Sequence, residues 1–260
     1  MRGWSQAGST LFLSRDMSAP VPRKEAETIS VDAKAVLVFA KPPRPGHVKT
    51  RLRSLLTARE AAEVHLACVK DTAAIVASVG GYRKWLLVAG RMGAAQKLAQ
   101  QAALSTRWRL GVQVGRGLGE RLEFAFGSHF LAGGQKVIVV GTDTPWMGPQ
   151  RIVRAFQLLD ATDVVIGPTE DGGYYLVGAR RLVPEMFHGI RWGTADVFEQ
   201  TVTALRKAKV SYRLLRRDFD LDRPEDLHHV ARLLRRRKVR SPAVKRWIFH
   251  WELEPGHKPL

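Results

Sequence analysis

The chain has 260 residues, 45% of them hydrophobic, a net charge of +18 at neutral pH and one cysteine. A chain of this length buries roughly 70–75% of the surface it exposes when unfolded, so it needs no covalent staple. Cys68 cannot form an intrachain disulfide and fits a reducing compartment such as the cytoplasm, and no segment approaches the ~20 consecutive apolar residues of a membrane span.

Residues 1–33 are rich in Ser, Ala, Pro and charge and show no sustained period, which predicts a flexible leader. Its one apolar cluster, Leu11, Phe12 and Leu13, is too short for a signal-peptide core, and Met17 is the expected physiological start. Residues 35–40, AVLVFA, predict a first buried strand, which ends in KPPRPGHVKTRL, where three prolines and a glycine exclude regular structure. Thr57 and Glu60 have capping-box spacing, and Val64, Cys68, Ile75 and Val79 continue a helical stripe.

A strand over 85–89, a helix over 94–104, a strand over 108–114 and a helix over 118–130 follow. Four β-branched residues at 137–140 predict a strand covered on both faces, and a helix is expected over 149–159. Short strands over 163–167 and 174–177 flank a tight Asp171-Gly172-Gly173 turn, then come a helix over 195–207 and a last strand over 211–215. This alternation predicts an α/β protein of three layers, helices on both sides of a mostly parallel sheet. One domain is expected over 34–238, with a basic C-terminal tail over 239–260.

Between Arg206 and Arg246 there are 15 Lys or Arg against 5 Asp or Glu, so this stretch carries much of the excess charge. It serves either as the solvated face of a helix built on Leu227, Val230, Leu233 and Leu234, or as a weak, salt-sensitive contact for a polyanion.

Three strand ends carry chemistry. After the first strand, Lys41, Arg44, Lys49 and Arg51 surround Gly46, and Thr50 follows; cations and free backbone N–H groups at such a junction suit phosphate oxygens. The spacing is not that of a P-loop, because the upstream glycine is missing. After the strand at 137–140, Asp143 either ligates a metal in the crevice beyond the sheet or caps the next helix. After the last strand, Asp218, Asp220 and Asp222 alternate, so an extended backbone points all three one way, while Asp222 also suits the N-cap of the helix that follows. Together with Asp143 these acids can hold Mg²⁺ or Mn²⁺ through oxygen and bridge it to a diphosphate. In the Asp171 turn the glycines permit close approach of a ligand, and Glu170 or Asp171 can bind hydroxyls or act as a base.

FAKPPRPGHVKTRL, GTDTP, GPTEDGGYYLVG, the IRWGT segment and DLDRPEDL, in this order over about residues 35–235, resemble a bacterial family of small glycosyltransferase-A-fold proteins. That family is akin to the molybdenum-cofactor and phospholactate nucleotidylyltransferases, and some members are assigned to arsenosugar biosynthesis. The resemblance implies a nucleotide-diphospho-sugar-transferase-like sheet and a divalent metal at Asp143 and Asp222, with Asp220 beside them. It also implies phosphate contacts from Lys49 and Arg51, and a sugar or acceptor pocket near Asp171, Gly172, Gly173 and Tyr174, with Trp192 of the IRWGT segment. The chain departs from the family pattern at Gly117, where an aspartate is usual, and at Arg223, which replaces a threonine.

The expected function is a cytoplasmic, metal-dependent transfer from a nucleotide sugar to a small acceptor, catalysed with Glu170 or Asp171. The alternatives are a nucleotidylyltransferase using an NTP and a non-catalytic polyanion-binding protein.

Overall fold

The computed structural model describes residues 33–257 and residue 260; the expected leader and the start at Met17 lie outside them, apart from Ala33. The described residues form seven strands, β1 (Lys34–Ala40), β2 (Arg83–Val88), β3 (Trp108–Val112), β4 (Lys136–Val140), β5 (Val164–Pro168), β6 (Tyr174–Ala179) and β7 (Tyr212–Leu214). Their order in one sheet is β3-β2-β1-β4-β6-β5-β7. Seven helices surround it: α1 (Ala58–Ser78), α2 (Met92–Gln101), α3 (Leu118–Leu131), α4 (Pro149–Leu158), α5 (Val197–Lys207), α6 (Pro224–Arg235) and α7 (Pro242–Leu253).

The unbroken apolar runs of β1 and β4 become the adjacent central strands, buried on both faces. One face packs Val36, Val38, Ile138 and Val140 under α1, α2 and α4. The other packs Leu37, Val137 and Val139 under α3 and α5. The parallel expectation holds for six strands, and β6 departs from it, running antiparallel to both β4 and β5. The connection from β5 to β6, residues 169–173, is too short for a helical crossover, so the pair forms a hairpin. From β1 the chain winds outward to β2 and β3, then returns to place β4 on β1's other side. The β1/β4 junction is thus a topological switch point, where the loops beyond the strand ends part and leave a crevice.

The region expected as a basic tail holds α7 instead, packed on α1. Val244, Ile248 and Trp251 recur at helical spacing and bury against Ala61, Val64 and Cys68. Asp71, buried in the middle of α1, fixes the start of α7 by accepting from Ser241 Oγ (2.6 Å), Ala243 N (2.9 Å) and Val244 N (2.9 Å). The capping box at the other end of α1 forms as its spacing predicts: Glu60 N donates to Thr57 Oγ1 and Thr57 N to Glu60 Oε2. Glu60 also accepts from Trp251 Nε1 at 2.8 Å, a second tie to α7. Among the described residues, no helix is long and apolar enough to cross a membrane.

Candidate active site at the carboxyl edge of the sheet

Three segments converge at the carboxyl ends of β1 and β4. The first is the loop from Lys41, pinned from beneath by α1: buried His65 donates from Nε2 to the Lys41 carbonyl at 3.0 Å. Gly46 turns this loop with φ +80°, a conformation glycine adopts without strain. Lys49 follows in the same left-handed region, φ +49°, which is uncommon for a residue with a side chain. That backbone sends the Lys49 ammonium inward, where the side chain is only 3% exposed and donates to Asp143 Oδ1 and to the Leu221 carbonyl.

The second segment is the loop after β4. Gly141 N still bonds across to the Tyr175 carbonyl, so Asp143 starts just beyond the last ladder bond. Its carboxylate is half open to the crevice, at 48% exposure. Its oxygen goes to Lys49 rather than to a helix start, and α4 begins at Pro149 behind Gly148, so Asp143 does not cap it.

The third segment is the chain beyond β7, which crosses the sheet edge in an extended path. Leu215 N bonds to the Ile166 carbonyl, Asp218 N to the Pro168 carbonyl and Leu221 N to the Asp143 carbonyl, so the segment runs from the end of β5 to the end of β4. This route carries Asp220 to Asp143, but the three alternating acids do not point one way. Asp218 turns away to pair with Arg151 at 2.7 Å and to accept from Trp146 Nε1 at 3.2 Å. Asp220 accepts from Thr144 Oγ1 at 2.5 Å. Asp222 pairs at the rim with Arg51, 2.6 Å away. Asp222 is not the N-cap of α6 either: Arg223 holds that position, and Asp226 reaches back to accept from the backbone N–H groups of Asp222 and Arg223.

The charges in this cluster are incompletely matched. Burial alone would raise the Asp143 carboxyl, but the adjacent Lys49 ammonium outweighs it and holds the carboxyl below the ordinary range. Burial disfavours the Lys49 ammonium, yet the carboxylate of Asp143 raises its pKa above the usual lysine value. Burial, then the negative charges of Asp143 and Asp171, push Asp220 up to about 7. Burial lowers His65, keeping the imidazole neutral under the loop.

The Asp171 turn lies at the same edge, built differently from expectation. Gly172, φ +88°, is required by its neighbour in the fold: a Cβ there would lie 1.8 Å from the Ala195 carbonyl oxygen at the approach to α5. Asp171 Oδ1 is engaged in the turn itself, accepting from Thr169 Oγ1 at 2.5 Å and from Gly173 N at 3.1 Å. Glu170 is exposed beside it. Tyr174 and Trp192, expected in an acceptor pocket, sit in the layer of α3 and α5, edge to face with ring centroids 6.1 Å apart. The two-residue period of β6 sends Tyr174 to that face, and the deep burial of its hydroxyl raises its pKa.

Outside the acid cluster, Lys41, Arg44 and His47 line a recess of about 200 Å³ closed by Ala89 and Gly90 at the end of β2. It adjoins a wider basic cleft of about 740 Å³ where Arg44 faces Arg91 and Lys97. Thr50 is exposed at the start of the 3-10 turn after Lys49. Sequence reasoning missed His65 and Thr144. The signal for His65 was a lone imidazole on the apolar side of α1, one turn before Cys68; for Thr144 it was a second buried threonine in GTDTP.

Residues 72–194 match the family described as "Uncharacterized protein conserved in bacteria (DUF2064)". A protein from Desulfovibrio desulfuricans G20 with the provisional description nucleotide-diphospho-sugar transferase is 30% identical; the match covers 83% of this chain and 98% of that one, with a TM-score of 0.72. The 4-diphosphocytidyl-2C-methyl-D-erythritol synthase of Anaerococcus prevotii DSM 20548 is similar in fold alone, 9% identical over 79% of this chain and 98% of its own, with a TM-score of 0.53. No curated protein matches the chain. The expected α/β, nucleotide-diphospho-sugar-transferase-like architecture is borne out.

Proposed function

Since the chain belongs to the bacterial DUF2064 family and is built on the nucleotide-diphospho-sugar transferase fold, we propose that it is a cytoplasmic, divalent-metal-dependent glycosyltransferase, moving a sugar from a nucleotide sugar to a small acceptor. The observation that supports this reading is the meeting of Lys49, Asp143 and Asp220 at the switch point of the sheet, beside a recess lined by further cations.

The donor's diphosphate lies over that meeting point. Lys49 and Arg51 contact its oxygens, while Lys41 and Gly46 shape the loop around it. Asp143 and Asp220 fit a divalent ion on two grounds: they offer only oxygen, which suits Mg²⁺ or Mn²⁺, and they lie close enough for the charge of one to hinder ionisation of the other. Among the described residues no group of three His, Cys, Asp or Glu side chains is placed to hold a metal, so Asp143 and Asp220 would be the pair through which this chain holds the ion. Asp222, held by Arg51, stands at the rim. When bound, the ion offsets negative charge on the departing nucleoside diphosphate. On the acceptor side, Glu170 takes the hydroxyl proton, and Asp171 holds the turn that presents it. Gly173 keeps the turn tight, since a Cβ there would sit 3.2 Å from Thr169 Oγ1.

A second reading, nucleotidyl transfer from an NTP, draws support from the basic cleft at Arg44, Arg91 and Lys97, whose charge suits a longer phosphate chain. Incubation with Mg²⁺ separates the two: release of UDP or GDP from a nucleotide sugar is expected, and pyrophosphate released from an NTP would favour the second. Polyanion binding through the basic stretch around Arg235–Arg240 is a weaker accessory contact. Arg235 there already pairs with Glu252 of α7.

A further inference from the structure

A groove separate from the proposed donor site opens between α3 and the outer strands of the sheet. Its volume is about 320 Å³, within the range of small-molecule pockets. The floor is apolar: Leu37, Trp85 and Leu87 project from β1 and β2, and Gly111 of β3 lets the Leu87 side chain lie against the strand, since a Cβ there would sit 2.7 Å from Leu87 Cδ2. The wall is α3, which turns Phe124, Ala125 and Ser128 toward the floor. Phe124 is 50% exposed and Val114, at the mouth, 43%, an apolar rim that water covers at a cost.

Arg121 lines this groove, and among the described residues no Asp or Glu does. Arg121 is positioned by its Nε, which donates to the Gly115 carbonyl at 3.0 Å. Gln113 closes the end nearest the sheet edge by donating to the Ala40 and Leu87 carbonyls. A second copy of the chain is disfavoured as the occupant, because a self-complementary contact would set Arg121 against its own kind on a molecule of net charge +18. We propose that this groove binds a small amphipathic anion, a flat aromatic or branched aliphatic body carrying one acidic group, with the body on Trp85, Leu87 and Phe124 and the anion at Arg121. The site is independent of the transferase reading, since it uses none of the residues assigned to the donor or the acceptor.

The test uses 8-anilinonaphthalene-1-sulfonate, which becomes fluorescent in apolar surroundings, and its uncharged analogue N-phenyl-1-naphthylamine. One equivalent of the sulfonate should bind with a Kd on the order of 10 μM, the affinity expected for a ligand of its size. The neutral analogue should bind at least 5-fold more weakly. Ser128→Phe, an exposed helix position that would fill the groove, should weaken sulfonate binding at least 20-fold while leaving nucleotide binding unchanged. Arg121→Gln should weaken it about 5-fold, and Arg121→Lys should restore most of the loss. Several weak equivalents, equal affinity for the neutral probe, or an affinity indifferent to Ser128→Phe would overturn the proposal. So would sedimentation showing a dimer that Ser128→Phe dissociates, since a second copy would then be the occupant.

Discussion

Two acid clusters in this protein join residues far apart in sequence, and they are built on opposite principles. At the α1/α7 junction, Asp71 is surrounded by neutral donors, one hydroxyl and two backbone N–H groups at a helix start, so the charge is solvated by dipoles already in place. At the β1/β4 edge, Asp143 and Asp220 push against each other, and a lysine on left-handed backbone is buried beside them. The first arrangement is complete and stabilises the fold. The second leaves charge unmatched on a strained loop, an arrangement that a diphosphate and a cation would relieve. Completeness of pairing, more than burial, separates a structural joint from a site.

The largest effect should come from breaking the edge cluster. Asp143→Asn is expected to lower transferase turnover by about 10²–10³-fold, the scale seen when an electrostatic stabiliser is removed, with little change in melting temperature. Asp71→Ala should do the reverse. Stranding three donors in the α1/α7 joint should cost about 2–4 kcal/mol in urea denaturation, while turnover per folded molecule stays within 2-fold.

A subtler test uses Asp220, whose carboxyl is raised in the folded protein from an ordinary 3.8 to about 7. The folded state therefore holds that proton more tightly than the unfolded chain. Its contribution to stability is full below about pH 4 and is lost as the pH rises to about 7. In EDTA, the wild-type melting temperature should fall more between pH 5 and 8 than that of Asp220→Asn; parallel profiles would remove Asp220 from the charged cluster. The smallest effect belongs to the exposed Arg51–Asp222 pair. Arg51→Gln should change stability by less than about 1 kcal/mol, and should show instead as a several-fold rise in the donor KM.

Much of the fold was legible because its signals are local. The β-branched run at 137–140, the capping box at Thr57 and Glu60, and the prolines after residue 41 each fix one element by short-range chemistry. The antiparallel course of β6 was harder to read, since it follows from a connection length combined with a gap left between β4 and β5. The basic stretch concealed α7: the charge around Arg237 masks the spacing of Val244, Ile248 and Trp251.

At the site, strand-end logic expected Asp143 and Asp222, with Asp220 beside them, near Lys49 and Arg51; in the structure Asp143 pairs with Lys49 and Asp222 with Arg51 at the rim. That logic did not reach side-chain directions that depend on distant partners: Asp218 pairs with Arg151, Tyr174 and Trp192 pack in the α3/α5 layer, and Gly172 makes room for the Ala195 carbonyl. His65 acts through a backbone carbonyl twenty-four residues away, a contact no local pattern encodes.

The central claim is that the edge cluster receives a nucleotide diphosphate together with a divalent ion. Calorimetric titration of UDP and GDP into the metal-free protein, with and without Mn²⁺, tests it most directly. One nucleotide should bind at least 10-fold more tightly with Mn²⁺ present, and Asp143→Asn should abolish that gain. Binding indifferent to Mn²⁺, or a gain that survives Asp143→Asn, would contradict the account.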